Sequence, residues 1–125
     1  MSERRTYEGS CHCGAVRFRL TCEPITAGLR CNCSMCRRRG AVMSSRYFRP
    51  DELVVTGLDA LACYRFGDLT MNHHFCRSCG IHPFSEVVTD DYPPLRTGDR
   101  RVNLGCIDEL DAPALELTLV DGRSF

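Results

Sequence analysis

The chain has no net charge, no long apolar run and no extended helical stripe, and each absence excludes a class of protein. Sixteen basic and sixteen acidic residues cancel, so no global field draws the molecule to nucleic acid or to an anionic membrane. The N-terminus, Met1-Ser2-Glu3-Arg4-Arg5-Thr6, is polar and leads directly into the first cysteines, without the apolar stretch of a signal peptide or a membrane span. The expectation is a cytoplasmic protein with neither nucleic-acid nor membrane partners. Low-complexity tracts are also missing, and nothing repeats except pairs of cysteines. At 125 residues the chain suits one domain, 1–125, within the usual range of about 50–250 residues.

Without a 3.6-residue apolar period, alternation carries the structural signal. Val16, Phe18, Leu20 and Cys22 alternate with Arg17, Arg19 and Thr21, the pattern of a strand with one buried face. Similar runs at 25–31, 41–47, 53–56, 60–66, 69–75, 81–88, 101–107 and 114–120 are punctuated by Gly40, Gly57, Gly67, Gly80 and Asp121-Gly122. Helix is expected only as short turns, one over Met35 to Arg39 capped by Ser34 and stopped by Gly40, the other at Pro50-Asp51-Glu52-Leu53. The polar stretch 90–99 contains Pro93-Pro94, which deprives a ladder of donors, and reads as an exposed loop. The fold class is mostly β.

Cysteine is what the chain has in excess. Seven of ten fall in three clusters: Cys11-His12-Cys13, Cys31-Asn32-Cys33-Ser34-Met35-Cys36, and Cys76-Arg77-Ser78-Cys79. Thiolates one or two residues apart can both reach one tetrahedral zinc at roughly 2.3 Å, whereas a disulfide between such near neighbours closes a strained ring. A reducing compartment points the same way, since clustered thiols there are metal ligands more often than disulfides. A closed structural site takes about four ligands. Cys11 and Cys13 with Cys76 and Cys79 make such a set, and Cys31, Cys33 and Cys36 are left as three thiolates with one open position. An open position can bind water or a substrate atom.

The segments Gly9-Ser10-Cys11-His12-Cys13-Gly14-Ala15-Val16, Cys31-Asn32-Cys33-Ser34-Met35-Cys36-Arg37 and Phe75-Cys76-Arg77-Ser78-Cys79-Gly80 resemble the glutathione-dependent formaldehyde-activating enzyme family. Asn103 and Asp121-Gly122 also look like family positions, so the resemblance spans nearly the whole chain. It implies a β-tent of antiparallel sheets stapled by zinc. It further implies two zinc ions, a structural one on the positions of Cys11, Cys13, Cys76 and Cys79 and a catalytic one on those of Cys31, Cys33 and Cys36. The implied activity is that of a carbon-sulfur lyase running in reverse, adding the glutathione thiol to formaldehyde to give S-hydroxymethylglutathione. Partners would then be a small thiol and an aldehyde.

The residues themselves favour thiol chemistry. A three-thiolate zinc is a soft, weak Lewis acid that prefers sulfur and deprotonates a bound thiol, although a bound water and hydrolysis is the alternative at such a site. One of Arg37, Arg38 and Arg39 is expected to neutralise the anionic centre, or Arg37 or Arg39 to fork a substrate carboxylate. His12 should point away from the metal, and neither His73 nor His74 is a strong ligand candidate. His82 could supply a fourth ligand or a proton, but reads better as a hydrogen-bonded structural histidine. Cys22, Cys63 and Cys106 read as small buried hydrophobes. The competing function is a binding module in which both zincs are structural.

Overall fold

The computed structural model describes residues 3–65 and 70–124. Ten strands dominate it: β1 (Arg5–Ser10), β2 (Arg17–Cys22), β3 (Ala27–Cys31), β4 (Met43–Ser44), β5 (Leu53–Thr56), β6 (Leu61–Tyr64), β7 (Met71–Cys76), β8 (Phe84–Val87), β9 (Arg100–Val102) and β10 (Glu116–Val120). They form three small sheets with strand orders β1-β2-β5, β10-β3-β4 and β6-β7-β8-β9. Helix is confined to α1 (Ser34–Arg39) and short 3-10 turns such as Leu104–Cys106, and the mostly β expectation holds. Gly67 and the adjoining ends of the 60–66 and 69–75 runs lie outside the described residues.

Alternation places β2 as expected, with Phe18, Leu20 and Cys22 buried and Arg17 and Arg19 exposed. Its partner β1 carries no apolar alternation, and only Tyr7 is buried in it. Pairing makes this strand: Arg5 to Ser10 run antiparallel to Cys22 to Arg17, and Gly9 leaves room for the Phe18 ring, whose nearest atom would lie 2.2 Å from an added Cβ. The Tyr7 hydroxyl accepts from the Ile25 N–H at 3.0 Å, which satisfies its polar end inside the core.

The main core joins Tyr7, Phe18 and Leu20 to Phe48, Leu53 and Ile107. A smaller cluster of Val16, Leu61 and Phe84 packs around Cys11 and Cys76. Two distant cysteine segments therefore meet over a buried apolar floor.

Several boundaries moved. The 41–47 run contracts to Met43–Ser44, and the 101–107 run ends at Val102, where Asn103 caps a 3-10 turn by accepting from the Gly105 N–H. The expected sheets were antiparallel throughout; β10 instead runs parallel to β3, Glu116 opposite Ala27 and Val120 opposite Cys31. About eighty residues separate the two, which gives the chain ample length for the crossover that parallel pairing needs. The turn before β5 is present, with the Glu52 N–H donating to the Arg49 carbonyl at 2.9 Å. The 90–99 loop is exposed except at its end, where Asp99 is buried against Arg49. Cys22 and Cys106 are buried, but Cys63 is exposed on the edge strand β6, which is buried only at its first residue, Leu61.

Candidate metal centre

Two matching turns build the first group of thiols. After β1, the Cys11 carbonyl accepts from Gly14 at 3.2 Å; after β7, the Cys76 carbonyl accepts from Gly80 at 2.9 Å. Both glycines adopt left-handed backbone, φ 83° and 77°, where a side chain is strained. In each turn an N–H also points at sulfur, Val16 to Cys11 at 3.3 Å and Ser78 to Cys76 at 3.4 Å. The Sγ atoms of Cys11, Cys13, Cys76 and Cys79 all lie within 4.8 Å of one another. Four sulfurs at 2.3 Å from one ion are separated by about 3.8 Å. The observed separations are 3.7 Å for Cys11–Cys13 and 3.6 Å for Cys13–Cys76, so the donor set fits a tetrahedral zinc in chemistry and size.

The second group sits where β3 gives way to α1. Cys31 ends the strand, Cys33 caps the helix and Cys36 lies in its first turn. The cap is a thiol and not the expected Ser34: the Cys33 Sγ accepts from the Cys36 N–H at 3.3 Å, while the Cys31 Sγ accepts from the Cys33 N–H at 3.4 Å. Helix capping and sulfur positioning are thus one interaction. These three Sγ atoms also lie within 4.8 Å of one another, with no histidine or carboxylate in the group.

The turn after β10 packs against this second group. Asn32 donates to the Asp121 carboxylate at 2.9 Å and accepts from the Arg123 N–H at 2.9 Å, pinning the turn that follows β10. Gly122 is thereby pressed against the thiols: a Cβ there would lie 2.4 Å from the Cys31 Sγ and 3.3 Å from the Cys33 Cβ.

Comparison with known proteins gives the family. Residues 6–118 match the model of the family described as glutathione-dependent formaldehyde-activating enzyme. The chain belongs to that family. A Halomonas elongata protein whose name carries the same family description is 34% identical over 106 residues, covering 69% of this chain and 68% of its own. A crystal structure of a Rhodobacter sphaeroides protein superposes with a TM-score of 0.71 at 32% identity, over 89% of this chain and 99% of that one.

In this family member the electrostatics differ between the thiols. Hydrogen bonds from the Cys13 and Ile81 N–H groups draw the Cys79 thiol down to about 6. At the second group burial pushes Cys36 up to about 12. Burial opposes ionisation at Cys33 too, but the Cys36 N–H and the adjacent thiols carry it below the ordinary value. Backbone dipoles aimed at sulfur favour thiolate, the form that binds metal.

Of the three consecutive arginines, Arg37 and Arg38 are exposed and Arg39 is half-buried, its Nη2 3.6 Å from the Cys36 Sγ. Arg39 also lines a cleft of about 510 Å³ with Arg30, His82 and Asn103. His12 is exposed, as expected. His73 faces the Ser85 hydroxyl at 2.9 Å and His74 the Glu86 carboxylate at 3.1 Å.

His82 is a structural residue. Its Nδ1–H donates to the His74 carbonyl at 2.6 Å, which leaves Nε2 to accept from the Ser85 hydroxyl at 3.3 Å. Asn103 secures the same segment by donating to the His82 carbonyl at 2.8 Å, a role that its sequence position did not reveal. Burial, reinforced by the positive charge of Arg39, lowers the His82 pKa to about 3. A depressed folded-state pKa means that the neutral ring stabilises the fold fully above the unfolded value of about 6.5 and that this contribution is lost as pH falls through the folded value. The His82 ring resonances are therefore expected to stay constant in NMR spectra from about pH 8 to pH 5, below the unfolded-state value. A midpoint inside that range would contradict the buried, neutral assignment.

Proposed function

We propose that the chain is a single-domain zinc enzyme, residues 1–125, that activates a small thiol, glutathione or similar, for addition to an aldehyde such as formaldehyde. In this reading Cys11, Cys13, Cys76 and Cys79 hold a structural zinc, and Cys31, Cys33 and Cys36 hold a catalytic one. The protein is cytoplasmic and acts as a carbon-sulfur lyase in reverse. Among the described residues no helix is long and apolar enough to cross a membrane.

The unequal ligand count carries this reading. Four thiols complete one group; three of comparable spacing, with no fourth cysteine, histidine or carboxylate gathered beside them among the described residues, make the other. When bound there, zinc supplies a divalent charge that favours deprotonated sulfur at neutral pH. The protein fixes the sulfur frame through the backbone N–H groups of Cys33 and Cys36 and carries a positive charge at Arg39 beside it. In the addition, the substrate thiol gives up its proton and a sulfur lone pair forms the carbon-sulfur bond. The carbonyl electron pair moves to oxygen, which takes up a proton, leaving an S-hydroxymethyl product. The adjacent cleft offers room for the body of the thiol, and Arg30 at its wall is suited to a carboxylate on it.

A binding module with two structural zincs requires a fourth protein ligand at the second centre. Both nitrogens of His82, the best sequence candidate, are engaged elsewhere, which supports the open centre. Cobalt-substituted protein should change its visible spectrum on addition of glutathione, because a fourth sulfur alters the charge-transfer bands, and Cys33→Ser should abolish the response. A spectrum indifferent to every thiol tested would favour the binding module.

A further inference from the structure

Arg39 has more donor capacity inside the protein than its neighbours use. Its Nη2 faces the Cys36 Sγ at 3.6 Å, while Nε and Nη1 are closed off from solvent and have no hydrogen-bond partner among the described residues. A buried donor without a partner is costly, and a buried cation is tolerated only with compensating negative charge.

Among the described residues no carboxylate supplies that charge. Asp121, which follows β10 and bonds to Asn32 between two of the thiols, is exposed and occupied by Asn32 and Ser124. Arg37 and Arg38 are exposed, the latter returning to the Ser34 carbonyl at 2.8 Å, and Arg30, across the cleft, is exposed as well. The remaining source is Cys31, Cys33 and Cys36. Three thiolates around a divalent cation carry a net charge of minus one, and a fourth anionic ligand makes it minus two. Such a centre, half-buried, discourages a second anion unless a fixed positive charge stands beside it.

We infer that Arg39 is the specificity-determining charge of the second centre: by cancelling its net negative charge, it lets the open position take an anionic thiolate in preference to a neutral donor. This rests on the proposed open centre at Cys31, Cys33 and Cys36. Arg39 acts on the fourth ligand through the field of its guanidinium and through its contact with Cys36, as a positioning residue and not as a group that touches the reacting atoms.

The test uses the full chain with cobalt in both centres and two probes, 2-mercaptoethanol, which binds as an anion, and imidazole, which binds neutral. Arg39→Met removes charge while keeping most of the side-chain length. It should weaken 2-mercaptoethanol binding by roughly tenfold or more, equivalent to about 1.4 kcal/mol, and leave imidazole binding unchanged. Arg39→Lys should restore most of the thiol affinity. Metal content and thermal melts identify a variant that has lost its fold, in which case Arg39→Gln takes the place of the Met variant in the same comparison. Equal affinities in wild type and uncharged variant, or proportional loss of both probes, overturn the inference while leaving the open centre intact. A wild type that responds to neither probe overturns both.

Discussion

Cys76→Ser yields an unfolded or aggregating protein, and Cys33→Ser yields a folded one that has lost one metal ion. Cys76 is fully buried at the end of β7 and meets Cys11, which follows β1 and is 1% exposed. Through these two residues the β1-β2 hairpin is fastened to the four-stranded sheet, and the apolar cluster of Val16, Leu61 and Phe84 is small. Structural zinc sites supply roughly 10–16 kcal/mol of folding free energy. Whole domains have only about 5–15 kcal/mol of net stability, so weakening the proposed structural zinc centre would remove the margin.

Cys33 is only half-buried and caps a helix of six residues. Serine can still accept at the helix N-terminus, and neither core cluster contains Cys33. Circular dichroism, thermal melts and elemental analysis of the two variants make the comparison. Equal damage from both substitutions would show that the proposed structural and catalytic roles are misassigned.

Gly122→Ala is expected to empty or cripple the second centre in a protein that otherwise folds. The added methyl would fall 2.4 Å from the Cys31 Sγ, so either the turn after β10 lifts away or the sulfur leaves its position. Overpacking of this kind typically costs about 1–3 kcal/mol, which corresponds to roughly a five- to 150-fold loss if it is taken from metal affinity. Gly40→Ala is the control. That glycine ends α1 with φ 71° and has nothing within 4 Å of an added Cβ, so its variant should lose a little stability without losing metal. Competition with a chelator measures both affinities; a Gly122→Ala protein that holds its second ion as tightly as wild type would contradict the packing of this turn against Cys31.

Some elements were legible because their cause is local. The alternation of β2, the run at Leu53–Thr56 and the short helix stopped by Gly40 each depend on residues within a few positions. Strand β1 was not legible, since only Tyr7 is buried in it and its existence depends on pairing with β2. The exposure of Cys63 and the helix-capping role of Cys33 also escaped the sequence, because apolar pattern does not report where an edge strand runs out of cover and thiols are unusual caps.

By itself the sequence determined the family, the mostly β class and three cysteine clusters, because motifs and alternation are short-range properties of the chain, and ligand counting then divided seven cysteines into the sets of four and three that the fold brings together. Only the tertiary structure decided which arginine of three turns to the thiols, that the nitrogens of His82 are spent on His74 and Ser85, and that Gly122 lies against Cys31. The His82–His74 and Gly122–Cys31 contacts join different segments, and even the short-range contacts of Arg39 with Cys36 and His82 with Ser85 depend on side-chain directions set by packing, not by local pattern.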